Sequence, residues 1–159
     1  MVTVVRMARR DDVAALAQLR HSWTTELGLA VEDPRFAATF AAWLARQQGH
    51  RAFWIADDQG HPVGMVNLLT IDRMPRPGLP TSRWGYLGNL YVLPDHRLTG
   101  VGTQLVTALL AAAAQRGLER VLVHPNEASR PFWSRTAFVG VSDLLVHEPS
   151  HHRTPRPDG

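Results

Sequence analysis

Between Gly85 and Gly102 the chain reads GYLGNLYVLPDHRLTGVG: a strand, a turn and a glycine-rich entry into a helix. From Val101 onward, Val101, Leu105, Ala108, Leu109 and Ala112 recur at the spacing of one helical face. Gly100 and Gly102 therefore fall at or just before the first helical turn. The first N–H groups of a helix lack intrahelical partners, and its dipole places about half a positive charge there, which suits a phosphate. Glycine removes the Cβ atoms that would hold such a ligand at a distance. Here the backbone, rather than side chains, is arranged to receive an anion.

Two common phosphate loops do not fit. A Walker loop requires Lys followed by Ser or Thr after its second glycine, whereas Thr103 and Gln104 follow Gly102. A dinucleotide fingerprint requires a small third residue where this chain has Leu105, and no acidic residue for the ribose is obvious. What remains is R-x-x-G-x-G, Arg97 to Gly102, directly after a strand ending in V-x-P. This resembles the pyrophosphate loop of the GNAT superfamily, the GCN5-related N-acetyltransferases. A second match lies further on. Members of that superfamily often read N-x-x-A-x-x-L-Y-x-x-x-G-F, and this chain aligns without a gap, with Asn126, Ser129, Phe132, Trp133, Ala137 and Phe138 at the defined positions. With a strand-then-helix opening also similar to GNAT proteins, the resemblance covers almost the whole chain up to His147.

The remaining sequence is read for its elements. Val2 to Met7 is a short strand, and Asp11 or Asp12 can cap a helix in which Val13, Leu16, Leu19, Trp23 and Leu27 share a face up to Gly28. Asp33-Pro34 opens a second helix running to about Gln48, with Phe36, Phe40, Trp43 and Leu44 on its apolar face and Gly49 as its stop. Arg51 to Ala56 and Pro62 to Ile71 form a hairpin around the polar turn Asp57 to His61. The proline-broken stretch Arg73 to Arg83 is read as a long connection rather than a lid. After the long helix and its stop at Gly117 come a short strand, Val121 to Val123, a short helix from Asn126, and last strands from Phe138 to about His147. The domain is placed at 1–147 and a disordered tail at 148–159. His151 and His152 sit in that tail and make a poor metal site, so no metal is expected.

Composition narrows the classes of function. The 159 residues suffice for one domain with a real core, and the chain has no Cys, which excludes disulfides, thiolate zinc sites and cysteine nucleophiles. No apolar run approaches the roughly 18 residues needed to cross a bilayer, and no secretory leader is visible, so a cytoplasmic protein without membrane contact is expected. A net charge of +3 without a dense Lys/Arg stripe gives no reason to expect nucleic-acid binding. A homodimer is left open.

The resemblance implies an α/β fold, with a central mixed, mostly antiparallel sheet, helices on both faces and a V-shaped split between the fourth and fifth strands. It implies acetyl-CoA as co-substrate, its pyrophosphate on Arg97, Leu98, Thr99, Gly100, Val101, Gly102 and Thr103. Pantetheine would lie along the main chain of Leu90, Tyr91 and Val92, in the manner of an added strand. Asn126 and Trp133 would adjoin the cofactor. The implied activity is direct transfer of acetyl to a primary amine of a small molecule or peptide. The alternative is a non-catalytic acyl-CoA-binding or sensing module, and a different acyl donor would require a wider pocket.

The chain departs from the family at the places where proton transfer is expected. Trp133 stands where many members have a tyrosine that protonates the leaving thiolate, and an indole N–H is too weak an acid for that role. Tyr86 and Gly88 fall where some members carry Glu or His. By the period-two rule Tyr86 and Gly88 share one face, and Asn89 and Tyr91 the other. Tyr86 and Trp133 are thus the catalytic candidates, with Glu26, Asp95, His124 and Glu127 as candidate bases by location and Ser134 ranked low. Trp23, Glu26, Trp84, Tyr86 and Gly88 are the candidates for acceptor binding, the aromatics as walls for a cation. Chemistry that relies on positioning more than on a dedicated base is the expectation.

Overall fold

Nine elements make up the computed structural model, which describes residues 3–29, 31–141 and 145–147. In chain order they are β1 (Thr3–Met7), α1 (Val13–Glu26), α2 (Phe36–Arg46), β2 (Arg51–Asp58), β3 (His61–Asp72), β4 (Arg83–Val92), α3 (Val101–Gln115), β5 (Arg120–Val123) and α4 (Arg130–Trp133), with single 3-10 turns at Arg10–Asp12 and Pro94–His96. The chain divides into two compact units, Met1–Val123 and His124–Gly159. The first holds the whole sheet.

Sheet order follows chain order, β1 to β5; the first four strands are antiparallel and β5 runs parallel to β4. β3 is buried from Val63 to Leu68 without a break. A strand covered on both faces loses the usual alternation, and here α1 and α2 lie on one face and α3 on the other. The first face holds Leu16, Leu19 and Phe40 against Phe53, Ile55, Met65 and Tyr91. On the second face α3 comes close to the sheet at Gly64, where a Cβ would stand 3.1 Å from Leu105 Cδ1.

The ends of the elements show which local signals operate. Asp12 does not cap α1 with its side chain. Its carboxylate turns back to accept the Arg9 N–H at 2.6 Å and both Arg6 terminal nitrogens at 2.7 and 2.8 Å. The Arg6 guanidinium carries a full positive charge and holds the carboxylate more strongly than the uncharged amides of the helix start. Asp33 accepts the Arg35 N–H at 2.9 Å, and α2 begins one residue later, at Phe36, ending at Arg46 rather than Gln48. The β2–β3 hairpin closes at Gln59-Gly60, both with positive φ, and Asp57 Oδ1 accepts the Gly60 N–H. The last strands expected between Phe138 and His147 do not form among the described residues, 138–141 and 145–147, because none of them pairs with a neighbouring strand. Residues 142–144 and the tail 148–159, with His151 and His152, lie outside the described residues.

Candidate active site

β4 is the strand on which the site is built. It pairs with β5 only from Trp84 to Leu87. Beyond Leu87 the edge formed by Gly88 to Val92, including Leu90, Tyr91 and Val92, has no strand partner on that side among the described residues, which is the V-shaped split expected from the sequence. On its other side, toward β3, the register slips: Asn67 faces Gly88 and Met65 faces Tyr91, so Asn89 and Leu90 together oppose Val66. Asn89 takes φ +55°.

A polar chain holds this bulge. Asn67, fully buried, donates from Nδ2 to Asn89 Oδ1 at 2.7 Å and accepts from Arg51 Nη1. Arg51 Nε in turn donates to Gln47 Oε1 at 3.1 Å. The extra residue reverses the parity of the strand. Tyr91 therefore shares the α1/α2 face with Tyr86 and Gly88 instead of facing the other way, as uniform alternation predicts. Across that face the side chains form three rows: Arg51, Leu69 and Tyr86; Phe53, Asn67 and Gly88; Ile55, Met65 and Tyr91.

After β4, the turn Pro94–His96 leads to an extended Arg97, and Leu98, fully exposed, adopts φ +60°. A non-glycine residue held there stores on the order of 1 kcal/mol or more of strain. Thr99 Oγ1 donates to the His96 carbonyl at 2.6 Å. Gly100, at φ +89°, precedes α3, which has no side-chain cap. Among the described residues no protein acceptor takes the N–H groups of Val101, Gly102 and Thr103. A Cβ on Gly100 would meet only Gln104 Nε2, at 4.0 Å. Free first-turn amides, a helix dipole and an open surface are what a pyrophosphate requires, so the loop fits that group.

Glu26, at the end of α1, joins the loop to β4. Its carboxylate accepts from Arg97 Nη2 at 2.7 Å and from the Tyr91 hydroxyl at 3.1 Å, while Arg97 Nε donates to the Val92 carbonyl at 3.0 Å. Trp23 stacks on Tyr91 with ring centroids 5.6 Å apart. The hydrogen bond from Arg97 holds the Glu26 carboxyl below the usual carboxylate range. Burial, reinforced by Glu26, pushes the Tyr91 phenol up to about 12, so it remains a donor. The Arg97 guanidinium is thus turned back toward β4 and Glu26, away from the first turn of α3.

The sequence pattern of the acetyltransferase (GNAT) family matches residues 16–138. The chain belongs to that family. No curated protein sequence matches it significantly. Among solved structures, it resembles a GCN5-related N-acetyltransferase from Ralstonia eutropha at 26% identity and TM-score 0.70, over 92% of this chain and 99% of that one. A "predicted acetyltransferase with acetyl-CoA" from Clostridium acetobutylicum shares the fold at TM-score 0.77 and 19% identity, over 96% and 99% of the two chains. So does an aminoglycoside acetyltransferase from an uncultured soil metagenomic sample, at TM-score 0.71 and 19% identity, over 94% and 97%. As a GNAT protein the chain is an acetyl-CoA-dependent N-acetyltransferase.

The other residues singled out in the sequence fall in varied settings for a GNAT enzyme. Trp84 already has two guanidinium groups near its ring, Arg73 at 4.4 Å and Arg120 at 5.1 Å, which leaves it poorly suited as a wall for a cationic acceptor. Tyr86 is 38% exposed, and its ring borders the space where Gly88 lacks a Cβ. Asp95 is exposed.

In the second unit, Asn126 Oδ1 accepts the Ser129 N–H at 2.7 Å, opening the turn that leads to α4. Trp133 is buried, edge-on to Phe132 and Phe138, and its indole N–H donates to Ser129 Oγ at 3.2 Å. Ser134 Oγ donates to the Pro131 carbonyl at 3.0 Å. His124 and Glu127 are exposed.

Sequence reasoning missed the Arg51–Asn67–Asn89 chain and the ion pair of Glu26 with Arg97. One signal was available: Asn67 lies in the otherwise apolar run VGMVNLL, and a buried amide demands partners.

Proposed function

We propose that this enzyme transfers acetyl from acetyl-CoA directly to a primary amine of a small molecule or peptide, acting in the cytoplasm. The observation that carries the reading is the free edge of β4 from Gly88 to Val92, running into the uncapped first turn of α3. The edge suits the amides of pantetheine and the helix end suits the pyrophosphate. Acetyl-CoA supplies an activated thioester: the amine nitrogen forms a bond to the carbonyl carbon, the C–S bond breaks, the electron pair leaves with sulfur as thiolate, and the extra proton on the new amide nitrogen passes to solvent.

The protein's part is placement. The bulge at Asn89 turns main-chain groups of β4 out of the ladder, where an N–H can polarise the thioester carbonyl. Glu26 is engaged by Arg97 and Tyr91 and is not free to take a proton. Holding the two reactants in line supplies the acceleration, and the attacking amine arrives neutral from solution. The thiolate, of ordinary pKa near roughly 8.5, leaves without an acid.

Titration calorimetry with acetyl-CoA, followed by thiol release across a panel of amines, tests this. Gly100→Trp, which strains the φ +89° position and fills the loop, abolishes binding on this reading. Binding that survives the substitution overturns the cofactor placement. Tight binding with no thiol release from any amine overturns the transfer. With a turned-over alkyl amine, kcat/KM rises with pH toward the acceptor's own pKa, near roughly 10.4. A lower limb in the carboxylate or imidazole range would reveal a dedicated base.

A further inference from the structure

Arg51 is a half-buried guanidinium, and no carboxylate lies within ion-pair distance of it among the described residues. It is nevertheless held firmly. Nε donates to Gln47 Oε1, Nη1 donates to Asn67 Oδ1, and Cζ lies 5.5 Å from the centroid of the Trp43 ring. A guanidinium has five N–H donors, so three remain without a protein acceptor among the described residues, one on Nη1 and both on Nη2, the kind of donors that bind carboxylate or phosphate. The contrast with Arg6 and Arg97 is informative. Those two, paired with Asp12 and Glu26, hold their protons more tightly than usual, whereas burial makes Arg51 hold its proton less tightly. The carbonyl end of α2 places partial negative charge near Arg51, which helps a cation to be tolerated there, but it occupies none of the three free donors.

The position of this cation gives it meaning. Arg51 begins the row that ends at Tyr86, and its partner Asn67 begins the step to Gly88, the residue just before the bulge. The space left by the missing Cβ of Gly88 is bounded by the Tyr86 ring at 3.6 Å and Asn67 Oδ1 at 3.7 Å. Tyr86 stands in the same cross-strand row as Arg51, with Leu69 between them. A fixed, unneutralised cation therefore borders the patch of β4 where the thioester lies on the proposed reading. Arg20 is also part-buried without a carboxylate partner among the described residues, but its guanidinium lies over Trp23 at 4.7 Å with no side-chain hydrogen bond to hold it.

We infer that the acceptor is an anionic amine, a primary amine carrying a carboxylate or phosphate that the free N–H donors of Arg51 bind, with Tyr86 at the other end of the same row. This deepens the acetyltransferase reading and rests on it. The bridging atoms must be few, because the Arg51 side chain carries its guanidinium to Asn67 on β3, which leaves one strand spacing, roughly 5 Å, to β4. Neutral amines lack the contact, and polyamines meet a like charge.

Paired acceptors on the wild-type enzyme test the inference: β-alanine against β-alaninamide for the carboxylate, phosphoethanolamine against ethanolamine for the phosphate, and spermidine as the polycation. In at least one pair, kcat/KM favours the anionic member by roughly 30-fold or more, the loss expected when a part-buried charge pair loses one partner. Arg51→Met brings that ratio to near one by raising KM, and Arg51→Lys, which keeps the charge without the fork, restores part of it. Arg51 also helps to hold the bulge, so any change in acetyl-CoA affinity, measured by calorimetry on each variant, falls on both members of a pair alike and cancels in their ratio. Spermidine or a neutral amine as the better acceptor of the wild type overturns the inference while leaving acetyl transfer standing, as does a preference that survives in Arg51→Met. Absence of turnover with every amine overturns the transferase reading itself. The wild-type comparison needs no variant, so a poorly folding Arg51→Met does not shield the inference.

Discussion

Gly85 is a residue whose value lies in what it omits. A Cβ there would stand 2.6 Å from Leu68 Cδ1 and 3.1 Å from Leu118 Cδ1, and Leu68 is fully buried with nowhere to retreat. Gly85→Ala is therefore expected to destabilise the protein by about 1–3 kcal/mol, read as a lower urea midpoint with an unchanged slope. Trp133 makes the opposite point about chemistry. Its indole N–H is already used by Ser129, so no proton is available from it. Trp133→Tyr is expected to leave kcat within about threefold of wild type, because the departing thiolate, of ordinary pKa near roughly 8.5, needs no proton. A large gain in turnover would show that an acid had been limiting. At this scale the glycines at the start of α3 could be read directly from the sequence, since spacing and residue type carry the information. Arg51 could not, because what matters about it is that no carboxylate pairs with it among the described residues, and that depends on neighbours from α2, β3 and β4.

β3 and β4 meet in the one irregularity that shapes the site, and it is maintained by side chains. Asn67→Leu keeps the volume but strands the Arg51 and Asn89 groups that it satisfied. The expected cost is about 2–4 kcal/mol in urea unfolding, accompanied by weaker acetyl-CoA binding as the bulge relaxes. A destabilised variant with unchanged acetyl-CoA affinity would separate the network from the cofactor edge. Strand and helix positions were largely legible in the sequence because periodicity reports burial one element at a time. The bulge was not. Period-two reasoning assumes one residue opposite one residue, and a single extra residue reverses every side chain after it, as the placement of Tyr91 beside Tyr86 shows. The start of α1 was legible but the use of its cap residue was not: Asp12 stands at the N-cap, yet Arg6 on the adjoining strand competes for its carboxylate and carries a full charge.

For the molecule as a whole, that same pair ties β1 to the start of α1 and sets part of the response to acid. Hydrogen bonds from Arg6 hold Asp12 down to about 2, against an ordinary 3.8. A depressed carboxylate stabilises fully above its unfolded pKa and loses that contribution as pH falls through the folded one. Folding stability should therefore decline between 3.8 and about 2. The contribution is on the order of 2 kcal/mol at most, since Arg6 remains partly open to water. Asp12→Asn should flatten that part of the profile of urea midpoint against pH. The free edge of β4 has a consequence of another kind. Unpaired amides and carbonyls along a strand invite the edge of a second molecule, so the feature proposed to receive a co-substrate is also a place where copies of the chain can stick. Pantetheine laid along that edge would act as a plug, making solubility on heating depend on acetyl-CoA concentration even when no acceptor is present and nothing is turned over.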